Sequence, residues 1–426
     1  MGECIVMEKK KSILFVMAGM NRGGAERSLI NLLEMTDRER YDIDLLVFDT
    51  SGKLMAQIPK GVRVVQPDRR LICISTSSKK EMVENFSAKA VAFRLVYNFA
   101  KNKEKIPYIQ SQEKWKSVYQ PVLKPLHREY DIAVAYMHSL PSYYVIDKVN
   151  AKRKILWVHN DYSRLVEGMN FDRPYFEKAD QVVTISEQCV RELEKAFPDL
   201  TDKFTCIYNL NPENKIREKA LAFYPEEYRD CKGLKLISIG RLNYQKGFDY
   251  AVDAAKILKD KNVDFSWFII GSGELRQPLE DQIRSLGMEK EVYLLGEREN
   301  PYPYIHNADI VVQTSRFEGK SIVLDEAKIL YKPIITTDYV SVRDQIEDGK
   351  SGMIVSLHAQ AIADAIAKLY QNAQLCEELS GYLKTIPDVT AIVLQKYDSC
   401  FWGCKFEVKK KATIGVEKYE DFGNNI

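Results

Sequence analysis

Apolar positions along this chain gather into short unbroken runs that alternate with stretches of helical spacing. Residues 13–18, ILFVMA, are continuously apolar, the pattern of a parallel strand buried on both faces. A Gly-containing loop follows, after which Leu29, Ile30, Leu32 and Leu33 recur at helical spacing. YDIDLLVFD predicts the next strand and RVVQP another, so the chain opens on a βαβ unit. The same grammar returns after residue 232. LKLISIG, FSWFIIGSGE, VYLLGE, ADIVVQTS and KPIITTD read as strands separated by helices, one of which carries apolar residues at 248, 251, 254, 255, 257 and 258.

These patterns predict an α/β protein with two Rossmann-like domains in tandem. Ligands of such sheets bind beyond the carboxyl ends of the strands, so the site is expected in the cleft between the two. The expected domains are 1–210 and 232–388. A linker over 211–231 separates them, polar, strandless and holding Pro212 and Pro225. Residues 79–128 stand apart, with eleven Lys/Arg against four Asp/Glu and with Phe86, Phe93, Tyr97, Phe99, Trp115 and Tyr119 interleaved. They read either as a pair of solvated amphipathic helices or as a basic-aromatic face for an anionic membrane surface or a lipid-linked substrate.

A length of 426 residues fits two or three domains. The net charge of +2 argues against a dedicated nucleic-acid partner. Eight scattered cysteines form no C-x2-C pair and read as reduced thiols. No signal peptide or membrane span is expected, which predicts a cytoplasmic location; on the basic-aromatic reading of 79–128 the protein also attaches peripherally to the inner membrane face.

Three strand-loop-helix corners offer phosphate chemistry. In NRGGAER, Gly23 and Gly24 would let a backbone approach an anion at a helix start. In GRLNYQKG, Arg241 and Lys246 stand just past a strand end, a guanidinium fork and a point charge suited to a diphosphate. GSGEL, beginning at Gly271, is a weaker corner. Then TSRFEGKSIVLDEAKIL sets Glu318 and Glu326 around an apolar run. On a single helix they would lie roughly 80° apart and about 12 Å along the axis, too far to share a small group. Ser321 instead predicts a helix start. Glu318 then lies on the loop, Glu326 on the helix, and the amides of Lys320, Ser321 and Ile322 between them. That layout suits a nucleotide sugar, with sugar hydroxyls at one end, diphosphate in the middle and ribose at the other.

Taken in order, GRL…QKG, GSGE and EGKSIVLDEA, with GGAER near the start, resemble glycosyltransferase family 4, retaining enzymes of the GT-B fold. The resemblance covers roughly residues 11–385. It implies that Arg241 and Lys246 bind the donor diphosphate, Glu318 the donor sugar and Glu326 the ribose. Amides near Lys320 to Ile322 and the Gly23–Gly24 loop would complete the phosphate cradle. His159 in KILWVHND matches the family's histidine near the transferred sugar. A helix within 389–426 is expected to return to the first domain, followed by a tail. The implied reaction moves a sugar from a nucleoside-diphosphate sugar, a UDP-sugar ahead of a GDP-sugar, to a lipid-linked or oligosaccharide acceptor in cell-surface polysaccharide or glycolipid assembly. No metal or other cofactor is implied, and the DID at 42–44 reads as a coincidence inside a strand. Lys320 departs from the Phe that many members carry. The rival readings are a nucleotide-sugar epimerase of the same architecture and a non-enzymatic membrane-associated scaffold.

Overall fold

The structure is a computed structural model that describes residues 10–21, 23–75, 79–100, 107–159, 162, 169–231 and 233–404. Seven strands build the first sheet: β1 (Lys11–Gly19), β2 (Tyr41–Asp49), β3 (Arg63–Val65), β4 (Glu129–Ala135), β5 (Asn150–Val158), β6 (Gln181–Thr184) and β7 (Phe204–Cys206), in the order β3-β2-β1-β4-β5-β6-β7. Six more build the second: β8 (Leu234–Ile239), β9 (Phe265–Ile270), β10 (Val292–Gly296), β11 (Ile310–Gln313), β12 (Ile334–Thr337) and β13 (Met353–Val355), in the order β10-β9-β8-β11-β12-β13. All the pairings are parallel. The strand order reverses between β1 and β4 in one sheet and between β8 and β11 in the other. Loops leaving those four strands diverge to opposite faces and open a crevice at each switch point.

The runs that predicted strands are continuous because both faces of each sheet are covered. Ile13, Leu14, Phe15, Val16 and Met17 are all fully buried, with alternate residues in two different clusters. One of those clusters includes Val393, Tyr397, Cys400 and Phe401 from the helix Thr390–Trp402. The last described helix therefore returns to the first sheet. Phe401 meets Phe15 and Tyr41 edge to face, with ring centroids 6.1 and 6.0 Å apart. Trp157 lies between Tyr136 and Tyr397, at 5.1 and 5.4 Å. The Tyr136 hydroxyl shares hydrogen bonds with Tyr397 (3.0 Å) and Ser28 (2.8 Å), and Ser28 donates to Asn209 (2.8 Å). This buried polar chain joins the returning helix to the helix Gly24–Met35 that follows β1.

Two segments differ from their sequence reading. The polar stretch 211–231 is not a free linker. It forms the helix Glu213–Ala220 and a 3-10 turn, and it buries Ile216, Ala220 and Tyr228 in the second domain. A two-turn helix shows only one i, i+4 apolar pair, too little for a periodic signal. In 79–128, Trp115 and Tyr119 are core residues, stacked 6.0 Å apart and fully buried. Phe93 is half-buried and Phe86 is exposed, while the side chains of Tyr97 and Phe99 lie outside the described residues. The aromatic signal there was therefore partly core. Residues 405–426 also lie outside the described residues.

Asp44 of the DID is fully buried at the amino end of β2. It accepts hydrogen bonds from Arg63 (2.8 and 2.6 Å), Arg128 (2.7 Å) and Tyr130 (2.6 Å). Its work is to anchor the sheet, away from the strand ends that face the crevice. Among the described residues, no helix is long and apolar enough to cross a membrane.

If the returning helix completes the first core, Phe401→Ala destabilises that domain by about 3–5 kcal/mol through a cavity the rigid sheet cannot close. The expected readout is a lower urea midpoint for the first domain, with no shift for a substitution at exposed Tyr370. An unchanged midpoint for Phe401→Ala would contradict the packing.

Candidate active site

The crevice of the second sheet is built by the loops after β8, β9 and β11. Past β8, Arg241 is exposed, and a 3-10 turn, Tyr244–Lys246, leads to Gly247 at φ 62°, which opens the helix Phe248–Asp260. The Asn243 side chain accepts from the Lys246 amide at 3.3 Å and fixes the turn. Thr314 donates to the Lys246 carbonyl at 2.9 Å, which stitches the β8 and β11 loops together. Gly271, after β9, has φ 152°, and a Cβ there would stand 1.8 Å from the Gly240 carbonyl oxygen. No other residue permits this approach. The GSG corner thus supports the loop that carries Arg241.

Glu318 lies before the helix Ile322–Ile329, on the β11 loop, as the spacing argument required. It is buried, and its carboxylate takes three donors: Lys246 Nζ at 2.5 Å, Ser315 Oγ at 2.7 Å and Gln245 Nε2 at 3.1 Å. Ser341 also donates to the Glu318 carbonyl at 2.8 Å. A buried carboxylate is costly unless paired and hydrogen-bonded, and here two loops of one domain supply the partners. Lys246 and Glu318 therefore form one unit at the mouth of the switch point.

Glu326 is held differently. It is 1% exposed, and its nearest cation is Arg27 of the first domain, with Nη1 3.5 Å from Oε1. The Tyr302 hydroxyl lies against the same carboxylate. Its Oε2 is buried with no hydrogen-bond partner among the described residues. Burial raises the Glu326 carboxyl above its ordinary value, and Arg27 only partly offsets this. An uncompensated oxygen of this kind costs desolvation energy, and a ligand hydroxyl would supply the missing donor.

The start of that helix corrects one detail. Ser321 is the N-cap residue but makes no side-chain cap. Its hydroxyl donates to Gln313 Oε1, and its amide donates to Gln345 Oε1 at 2.7 Å. The Ser321 amide is thus already engaged. Ile322 and the rest of the first turn keep amides that have no intrahelical acceptor.

Lys320 turns away from the Lys246–Glu318 pair. Its ammonium lies 3.5 Å from Asp325 and 3.8 Å from the centroid of the Tyr208 ring. Burial pushes its pKa down, with Asp325 pulling the other way. Burial alone would raise Asp325, but Lys320 and Lys328 bring it below its ordinary value.

The first domain faces this crevice with the loops after β1, β4 and β5. Gly23 caps the helix Gly24–Met35, and the Gly24 backbone meets Ile322, with Cδ1 3.4 Å from where a Cβ would stand. Glu26 is buried, which raises its carboxyl, while its own amide and Arg241 of the other domain act against that. His159 follows directly on β5. The loop after β4 brings His138 near enough to act on it electrostatically. Burial lowers His159 to about 3 and His138 to about 4, and the His138 charge adds to the fall at His159. Nε2 of His159 is buried with no hydrogen-bond partner among the described residues. At neutral pH it is an uncharged imidazole that can exchange a hydrogen bond with a ligand hydroxyl.

The structure thus gathers Arg241, Lys246, Gly271, Glu318, Ile322 and Glu326 on one crevice, with Gly23, Gly24 and His159 on the facing loops. Glu26, Arg27, Gln245, Ser315, Tyr302 and Gln345 escaped the sequence reading. Glu26 and Arg27 stood inside the GGAER motif, but nothing in their spacing said that they cross to the other domain.

Residues 226–385 match the family model described as glycosyl transferases group 1. One curated relative is the N-acetylgalactosamine-N,N'-diacetylbacillosaminyl-diphospho-undecaprenol 4-alpha-N-acetylgalactosaminyltransferase of Campylobacter jejuni. It is 29% identical over 204 residues, 48% of this chain and 53% of that protein. Another is the alpha-D-kanosaminyltransferase of Streptomyces kanamyceticus, 29% identical over 168 residues, 38% of this chain and 44% of that protein. The chain spans about half the length of the curated relatives it matches. Among solved structures, Anabaena HepE in complex with UDP-glucose superposes with a TM-score of 0.63 at 17% identity, covering 92% of this chain and 98% of that one. A Staphylococcus aureus TarM variant bound to fondaparinux, alpha-GlcNAc-glycerol and UDP gives 0.63 at 16%, covering 92% and 99%. At these identities the likeness establishes the architecture, two Rossmann-like domains in the GT-B arrangement.

The buried imidazole gives a pH test. The unfolded chain takes up a proton near pH 6.5, whereas folded His159 stays neutral down to about 3. The unfolded state therefore binds more protons in that window, so stability is full above pH 6.5 and falls as pH drops toward 3. His159→Asn is expected to flatten the decline in urea midpoint between pH 7.5 and 4.5, leaving the slope due to His138. An unaltered slope would contradict the buried, neutral state.

Proposed function

We propose that this chain is a retaining, metal-independent glycosyltransferase that moves a sugar from a UDP-sugar to a hydroxyl of a lipid-linked or oligosaccharide acceptor. The observation that carries the reading is the spread of charge along one crevice. A lysine-paired carboxylate lies at one end (Lys246–Glu318, 2.5 Å) and a buried carboxylate with an unpartnered oxygen at the other (Glu326 Oε2), with a helix start between them. In the proposed complex the sugar hydroxyls meet Glu318 and His159, the diphosphate meets Arg241, Lys246 and the amides from Ile322 onward, and the ribose meets Glu326. The bond from the anomeric carbon to the β-phosphate oxygen breaks as the acceptor oxygen approaches the same face. The acceptor's proton passes to the departing phosphate. Fixed positive charge at the leaving group is the largest contribution such a site can make. Glu318 is held by Lys246, Ser315 and Gln245, so it orients hydroxyls and needs no role as a nucleophile.

The relatives support the donor and acceptor classes. The HepE structure holds UDP-glucose, and the C. jejuni protein's name specifies a diphospho-undecaprenol-linked sugar acceptor. A lipid-linked acceptor also suits the segment 79–128. Val83, Phe86, Leu95 and Val96 are 50–71% exposed there, and exposed Lys80 and Lys89 accompany them. Exposed apolar side chains accompanied by lysines are suited to an anionic membrane surface.

Two measurements test this. By calorimetry, Glu326→Ala is expected to weaken UDP-sugar binding about 10- to 100-fold, the loss of one or two hydrogen bonds to a charged group. Lys246→Ala is expected to lower turnover by about 10²-fold or more. Wild-type behaviour in both variants would overturn the assignment. For the membrane face, liposomes rich in anionic lipid should co-sediment the protein at low salt, and Phe86→Ser with Val96→Ser should abolish this. No co-sedimentation of the wild type would remove the membrane from the account.

A further inference from the structure

The chain passes between the two domains twice. It leaves the first after β7, through residues 207–212, and returns ahead of the helix Thr390–Trp402. The two crossings touch where Thr390 Oγ1 meets the Asn211 carbonyl at 3.5 Å. Tyr208 lies on the first crossing, and Lys396 of the returning helix stands 5.9 Å from its ring centroid. Into this junction the β11 loop inserts a third element, the Lys320 ammonium, 3.8 Å from the same centroid.

Lys320 and Asp325 stabilise one another, but the carboxylate by itself does not account for this lysine. Asp325 already has Lys328 at 3.1 Å, Gln345 Nε2 at 3.1 Å and Asn211 Nδ2 at 3.2 Å, all closer than the 3.5 Å to Lys320. What Lys320 adds is a cation close against the face of a first-domain ring, 3.8 Å from its centroid against 5.9 Å for Lys396. From there the contacts run without a gap to the helix start. Asp325 accepts from Gln345, whose side-chain amide pairs with both backbone groups of Ser321: the amide at 2.7 Å and the carbonyl at 2.8 Å. Asn211 binds Asp325 from the hinge side.

We infer that Lys320 is a positioning residue that locks the β11 loop to the interdomain hinge through the ring of Tyr208, and so sets the helix-start amides of 322–329 at a fixed closure of the two domains. This rests on the proposed donor reading only for what those amides meet. The lock itself is a property of the protein alone. Lys320 would not be a contact of the donor: its charge is spent at the hinge.

Hydrogen exchange followed by mass spectrometry on the whole chain tests this. Lys320→Met is expected to speed exchange at least ten-fold on both sides of the junction, in peptides spanning 204–211 and 318–326. Tyr208→Leu should do the same, and the double variant should add less than two-fold to either. Tyr208→Phe keeps the ring face and should match the wild type. If Lys320→Met does not fold, Lys320→Phe fills the space without the charge, and it too should speed exchange at 204–211. Unchanged exchange at 204–211 in the lysine variants, or Tyr208→Phe behaving like Tyr208→Leu, would overturn the lock. Calorimetry with UDP adds the functional arm. Lys320→Met should keep UDP affinity within about three-fold while turnover falls, whereas an equal loss of both would make Lys320 a donor contact. Failure of the wild type to bind UDP would count against the donor reading, and the exchange comparison would still decide the lock.

Discussion

Charge that enters the seam between the two sheets must find a partner there, because the seam is dry enough to make an unpaired ion expensive. Three carboxylates on one short stretch meet this constraint in three ways. Glu318 is held by its own domain, through Lys246, Ser315 and Gln245. Asp325 is held from both sides, by Lys328 and Gln345 of its own domain and by Asn211 at the hinge. Glu326 has Arg27 of the other domain and the Tyr302 hydroxyl against it, and its Oε2 has no hydrogen-bond partner among the described residues. Two of the three are thus fastened in place, and the third keeps capacity for a ligand. That division gives the stretch rigidity and leaves one carboxylate oxygen open to a hydrogen-bond donor.

The fold brings the groups together through its topology. Loops at the switch points β1/β4 and β8/β11 open toward one another, and each carries a helix start whose amides and dipole suit an anion. The first domain does not complete itself. Its core needs the returning helix, whose Tyr397 stacks on Trp157 and bonds to Tyr136. Since Tyr136 also bonds Ser28 on the helix after the Gly23–Gly24 loop, the returning helix buttresses the loop that faces the crevice. Closure of the molecule and order in its site are therefore coupled by a few buried side chains.

The sequence carried the architecture well, because a strand covered on both faces leaves an unmistakable run such as ILFVMA, and because the order of such runs repeats. Glu318 on the loop and Glu326 on the helix were also legible, since Ser321 marks the helix start. Other features were not. The Glu213–Ala220 helix was hidden by its polar surface. Trp115 and Tyr119 looked like part of a surface face, because composition does not tell which side of a helix is covered. Arg27 on Glu326, and Lys320 on Tyr208, join residues 299 and 112 positions apart. Contacts of that kind depend on how the two domains close, which local spacing does not encode.

The central claim is that the crevice between the domains is a nucleoside-diphosphate-sugar site. A thermal-shift screen of the whole protein against UDP-, GDP- and other nucleotide sugars tests it most directly. A ligand present at 100 times its dissociation constant adds about 2.7 kcal/mol to stability, enough for a clear rise in Tm. The account predicts such a rise with at least one UDP-sugar, and about half of it or less in Glu326→Ala. A panel in which no nucleotide or nucleotide sugar moves Tm would contradict it.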